Sequence, residues 1–104
     1  MEDANVAANR ERFAGILEPE SYATATLAKA TALSQTNDFA GAVAAYGLYL
    51  KAHPTDSDIL VMRAGAKIRL GDKTGAAADY RAALKYIPDY QPALDGLKQI
   101  GAPR

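Results

Sequence analysis

Few residues in this 104-residue chain have the types and spacing that catalysis requires. His53 is the single histidine and cysteine is absent, which excludes disulfides, thiolate metal sites and clusters of histidine ligands. His53 directly precedes Pro54 at a predicted helix end, where the helix dipole favours a cationic ring. We therefore interpret His53 as a helix-end residue and not as a catalytic base.

Paired acids are the other candidates for chemistry. Glu18 and Glu20, and Asp56 and Asp58, lie beside predicted turns, but no base or metal ligand stands at a matching spacing. Capping and solubility explain both pairs, and the scattered glycines form no phosphate loop of the Walker type. The sequence therefore predicts no enzymatic activity, no metal and no cofactor.

Charge and hydropathy restrict the partners. Lys plus Arg number 12 and Asp plus Glu number 12, so no net field attracts nucleic acid or an anionic membrane. No apolar run approaches the length of a membrane span, and MEDANVAANRERF lacks the apolar core of a signal peptide. We expect neither nucleic acid nor membrane as a partner. The expected location is the cytoplasm, or the periplasm if a leader has been removed.

A repeat organises the chain. Asp72–Pro88 reproduces Asp38–Pro54 at a constant separation along the sequence, which we call the repeat offset. The identities are Asp38/Asp72, Ala42/Ala76, Tyr46/Tyr80, Leu50/Leu84, Lys51/Lys85 and Pro54/Pro88. A fixed period of about 34 residues indicates a repeat architecture.

Abundant alanine and the apolar spacing favour helices throughout, so we predict an all-α fold. A helix is also predicted over Asp3–Leu17. Residues 1–18 would then cap the first repeat, or this helix would dock on, or exchange with, another chain. The next helix is predicted from an N-cap at Ser21 to about Thr36, and the one after it over Phe39–Ala52. A further helix is predicted from caps at Thr55–Ser57 to Leu70. The last two are predicted over Thr74–Tyr86 and from Pro92 to Ile100.

Several side chains are assigned to the interior on this pattern. Tyr46 and Tyr80 are predicted to be core residues, and Tyr86 and Tyr90 to pack against the closing helix. The inward face of the fourth helix is predicted to comprise Ala76, Tyr80, Ala83, Leu84 and Ile87.

The period and these residues resemble the tetratricopeptide repeat family. The resemblance covers about residues 22–100 as repeats 22–54 and 56–88 and a closing helix 91–100, followed by a tail 101–104. Ala30 and Ala64 match the small residue midway along the first helix of each unit. Lys29, Arg63 and Lys67 depart from the leucine and tyrosine often found at their positions. The nearest alternative is a pentatricopeptide array, whose RNA-binding members tend to be basic and longer.

The resemblance implies antiparallel helix–turn–helix units stacked as a short right-handed α-solenoid, with a concave groove lined by the first helix of each unit. The implied groove residues are Thr24, Leu27, Thr31, Ser34, Gln35, Asp58, Val61, Gly65, Ile68, Arg69, Asp95 and Gln99. Packing of Val61 and Ile68 against a neighbouring helix is an equally good explanation of those two residues.

Two functions follow as hypotheses. The first is a protein-interaction module, an adaptor or scaffold that binds a peptide or helix of a partner protein in the groove. The second is a structural unit that self-associates into a homo-oligomer through its N-terminal helix or its convex face. Fold-level resemblance supports these functions only by analogy.

Overall fold

A computed structural model describes the backbone of residues 19–104 and the side chains of residues 23–104. This part of the chain contains helices and no strand, which confirms the all-α prediction. Each helix packs on the next, and α3 also contacts α5. The predicted helix over Asp3–Leu17 lies outside the described residues. The helices are α1 (Pro19–Gln35), α2 (Phe39–Ala52), α3 (Ser57–Arg69), α4 (Lys73–Tyr86) and α5 (Gln91–Gln99).

Aspartate side chains begin α2 and α4 in the same way. Asp38 accepts a hydrogen bond from the Gly41 amide at 3.0 Å, and Asp72 accepts one from the Gly75 amide at 2.8 Å. These bonds satisfy amides that have no partner within the helix. A Cβ on either glycine would run into the aspartate carboxylate, so the glycines give the caps room to fold over the first turn.

Left-handed residues end three of the helices. Asn37, Gly71 and Gly101 have φ values of 67°, 83° and 71°. The amide that follows each of them returns to a carbonyl of the last helical turn: Asp38 to Leu33, Asp72 to Lys67 and Ala102 to Leu97, at 2.8–2.9 Å. This is the Schellman pattern, and it ends α1, α3 and α5 one residue before the predicted ends at Thr36, Leu70 and Ile100.

The predicted cap at Ser21 is wrong, whereas the predicted capping stretch Thr55–Ser57 contains the observed N-cap of α3, Asp56. Helix α1 begins at Pro19, so Ser21 lies inside the helix, because the fixed φ of proline suits a first helical turn. Helix α3 has Asp56 as its N-cap, and Ser57 is already helical and buried. The Ser57 hydroxyl donates to the Ala83 carbonyl of α4 at 3.2 Å, so this serine joins two helices and does not start one.

The interior is built mainly from small residues. The two predicted tyrosines, Tyr46 and Tyr80, are buried as expected, and Leu97 is the largest side chain among those with no more than 1 % exposure. The alanines with 0 % exposure are Ala30, Ala42, Ala64, Ala76, Ala83 and Ala93. Backbones can therefore approach closely, and the first four of these alanines form two pairs related by the repeat offset.

Helix α5 meets α4 at a glycine. A Cβ on Gly96 would run directly into the ring of Tyr80, so the ring lies against the α5 backbone. Tyr90, in the linker before α5, packs partly against the core as predicted. The predictions for Tyr86 and Ile87 are wrong: they are 43 % and 41 % exposed, because α4 ends at Tyr86 and Ile87 turns away with the linker.

A charged cluster joins α3 to α4. The Asp79 side chain is only 6 % exposed and accepts hydrogen bonds from Arg63 Nε at 2.9 Å and Nη2 at 2.8 Å. Lys67 Nζ lies 3.1 Å from the same carboxylate. Two of the departures from the tetratricopeptide pattern, Arg63 and Lys67, thus bind one buried acid. A buried carboxylate is tolerated when it is paired and hydrogen-bonded in this way.

The cluster predicts that two successive sets of substitutions change the free energy of unfolding in opposite directions. Arg63→Leu/Lys67→Leu leaves Asp79 buried without a cation and should lower the free energy of unfolding by about 3–5 kcal/mol. Adding Asp79→Ala removes the unpaired charge and should return most of that loss. Leu33 and Ala45 stand at the positions corresponding to Lys67 and Asp79 in the first unit, so this interior accepts those residue types.

Urea unfolding of the wild type, the double variant and the triple variant measures both steps. A triple variant less stable than the double variant would show that the carboxylate stabilises the fold through some contact other than its two cations.

Candidate functional site

The predicted groove residues lie on α1, α3 and α5, and they differ in how much of each side chain remains accessible. Leu27, Val61, Gly65, Ile68 and Ser34 are half-buried. The exposed members are Thr24, Thr31, Gln35, Asp58, Arg69, Asp95 and Gln99. We refer to this set as the groove residues.

The apolar members divide their surface between the core and the outside. Leu27, Val61 and Ile68 pack against the hydrophobic core, yet each keeps an accessible part. Gly65 lies between Val61 and Ile68 on α3, and a Cβ placed there would meet no other atom within 4 Å. The middle of α3 therefore has open space above its backbone, flanked by half-buried aliphatic side chains.

All three charged groove residues have partners within the chain. Asp58 accepts a hydrogen bond from the Tyr90 hydroxyl, which joins the start of α3 to the linker before α5. Asp95 accepts one from Gln91 Nε2 at 2.8 Å. The Arg69 guanidinium lies 4.7 Å from the centre of the Phe39 ring, a cation–π contact with the start of α2. These contacts fix the charged ends of the predicted groove.

An aromatic cluster that the sequence analysis did not predict lies beside Thr24 and Leu27. The Tyr49 and His53 rings stack with centres 4.7 Å apart and an angle of 30° between their planes. With Ala23, Thr24 and Leu27 they line a cavity of about 230 Å³. The four-residue spacing of Tyr49 and His53, which puts both rings on one helical face, is the signal that could have revealed the cluster.

Tyr49 also joins α2 to the cap of α3. Its hydroxyl donates to Asp56 Oδ2 at 2.6 Å, while Asp56 Oδ1 accepts from the Ile59 amide at 3.4 Å. The hydrogen bond to Asp56, and then partial burial and the negative charge of Asp56, raise the pKa of Tyr49 to about 12. At neutral pH the phenol is a protonated donor, which suits positioning and binding and does not suit a general base.

Among the described side chains, residues 23–104, no three His, Cys, Asp or Glu residues are grouped so that they could hold a metal ion. None of the described helices combines the length and the apolar character needed to cross a membrane.

Comparison with protein-family models, with curated proteins and with solved structures found no match to this chain. The resemblance to tetratricopeptide repeats therefore rests on the residues quoted above.

The Tyr49–Asp56 hydrogen bond predicts a pH-dependent contribution to stability. The raised pKa means that the folded state holds the phenol proton more tightly than the unfolded state. The contribution is therefore complete below pH 10 and is lost as the pH rises towards about 12. Tyr49→Phe should lower the free energy of unfolding by about 0.5–1.5 kcal/mol at neutral pH. A change to alkaline pH should then destabilise this variant less than it destabilises the wild type.

Urea unfolding of both proteins at neutral pH and at about pH 11 measures the difference, because the two proteins differ only at residue 49. Parallel stability curves for the two proteins would contradict the assigned hydrogen bond.

Proposed function

We propose that this chain is a protein-interaction module of the tetratricopeptide type, with helix–turn–helix units 22–54 and 56–88 and a closing helix 91–100. The observation that carries the proposal is the structural correspondence of the two units at the repeat offset. Asp38 and Asp72 both cap helices through a glycine amide. The left-handed turn residues Asn37 and Gly71 and the fully buried pairs Ala42/Ala76 and Ala30/Ala64 share that offset.

The proposed binding surface is the row of groove residues on α1, α3 and α5. In a right-handed stack of such units these helices line one concave side, while α2 and α4 lie behind them. The half-exposed Leu27, Val61 and Ile68 would meet apolar side chains of a partner, and the polar residues at either end would set its orientation. An amphipathic helix or an extended peptide fits this pattern of an apolar centre and polar ends.

Gly65 offers the sharpest test of the groove. Val61 packs against the core, so a charged substitution there would disturb the fold as well as the surface. Gly65 has open space where a side chain would stand, so a larger residue can enter the groove without displacing packed atoms.

We predict that Gly65→Ala stabilises the chain by about 0.5–1 kcal/mol through helix propensity and leaves binding intact. Gly65→Glu should fold equally well, but it should weaken peptide binding by about tenfold or more, equivalent to about 1.4 kcal/mol. Peptides selected from a random library against the wild type, titrated by fluorescence anisotropy, provide the measurement.

Ala78→Glu is the charge control, because Ala78 is exposed on α4 and lies outside the groove residues. Selected peptides that bind Gly65→Glu as tightly as the wild type would remove the groove from the proposal.

Self-association is the second candidate function, and a specific observation favours it. Tyr86 and Ile87 at the end of α4 are 43 % and 41 % exposed, and these apolar side chains outside the groove residues could be covered by a second copy of the chain. Sedimentation at several concentrations separates this candidate from the first, because a strict monomer at every concentration would eliminate it.

A further inference from the structure

Helices α1 and α2 enclose an apolar depression of about 560 Å³ that is separate from the groove residues. Most of its lining residues are small, Leu33 and Leu48 are its large apolar side chains, and Lys29 and Asp38 are charged. The lining comprises Ala25, Thr26, Lys29, Leu33, Asp38, Gly41, Ala44, Ala45 and Leu48. A surface that combines small residues with aliphatic side chains suits the close approach of another segment of chain.

The α1 side of this depression corresponds to a surface of α3 that a helix covers in the second unit. The repeat offset carries Lys29 to Arg63 and Leu33 to Lys67 on α3, and α3 packs on α2. At that contact a Cβ on Gly47 of α2 would lie 3.6 Å from Arg63 Nη1, an ordinary van der Waals distance. The depression therefore lies where an element preceding α1 would stand if it packed as α2 does.

The depression in the first unit and the corresponding surface of the second unit differ in charge. In the second unit Arg63 is paired with Asp79 of α4. In the first unit the residue corresponding to Asp79 is Ala45, and among the described side chains, residues 23–104, Lys29 has no ion-pair partner. A segment that fills the depression should therefore bring a carboxylate to Lys29 along with apolar side chains.

We propose that the occupant is the stretch of this same chain before Pro19, residues 1–18, packed against α1 as α2 packs against α3. This stretch contains the apolar residues Val6, Phe13, Ile16 and Leu17. Its four carboxylates, on Glu2, Asp3, Glu11 and Glu18, outnumber its two arginines. It leads directly into α1, so no long connection has to be ordered. The proposal does not depend on the function of the groove.

Cross-linking in the full chain tests the occupant, since no native cysteine interferes. With a short bis-maleimide, Ala14→Cys/Ala44→Cys should give an intramolecular cross-link. The matched control is Ala14→Cys/Ala78→Cys, because Ala78 is the exposed counterpart of Ala44 at the repeat offset and should give several-fold less product. The single Ala25→Cys variant should also react with a maleimide several-fold more slowly than Ala78→Cys, because Ala25 lines the depression and its counterpart at the repeat offset, Ile59, is buried.

The role of Lys29 has its own control pair. Lys29→Glu in the Ala14→Cys/Ala44→Cys background should reduce the intramolecular product several-fold, whereas Lys29→Arg should retain it. Unchanged circular dichroism at neutral pH would show that both variants are folded. Equal yields from Lys29→Glu and Lys29→Arg would overturn the assigned charge contact.

The remaining outcomes overturn the proposal. Cross-linked dimers whose yield rises with concentration would assign the depression to the N-terminal stretch of a second copy. No cross-link, together with equal labelling of Ala25→Cys and Ala78→Cys, would show that residues 1–18 do not cover the depression and that it is open to solvent or to another protein.

Discussion

Helix backbones in this chain approach one another at positions where the side chain is a methyl group or is absent. Ala30, Ala42, Ala64 and Ala76 have no exposed surface, and Gly96 receives the ring of Tyr80 against its backbone. Each such residue buries little apolar area, so stability depends on many close van der Waals contacts between helices. A larger residue at any of these positions would force two helices apart.

The same packing accommodates different chemistry in the two units. The second unit places Asp79 between Arg63 and Lys67, whereas the first has Ala45, Lys29 and Leu33 at the corresponding positions. The charged cluster fills the second unit and requires mutual pairing of its members. In the first unit the smaller residues leave a depression beside a single cation, Lys29, among the described side chains. Corresponding helices of the two units thus carry different side chains on their surfaces.

Much of the fold could be predicted from the sequence, because caps, left-handed turn residues and small buried residues act locally or recur at the repeat offset. The helix ends near Thr36 and Leu70 and the buried Tyr46 and Tyr80 were predicted for these reasons. Contacts between distant residues were not predictable in this way. The hydrogen bond from Ser57 to α4, the Asp79 cluster and the Tyr49–His53 stack all depend on which faces meet. The groove residues stay a prediction, to which the structure adds the open space at Gly65 and the partners of Asp58 and Arg69.

Parallel substitution of the paired alanines tests the repeat most directly. Ala42→Leu and Ala76→Leu should each lower the free energy of unfolding by about 1–3 kcal/mol and by similar amounts, because both residues are fully buried at corresponding helix contacts. Ala78→Leu, on the exposed side of α4, should stay within about 0.5 kcal/mol of the wild type. If either buried alanine accepts leucine at no cost, the two units do not share one packing arrangement and the repeat interpretation is wrong.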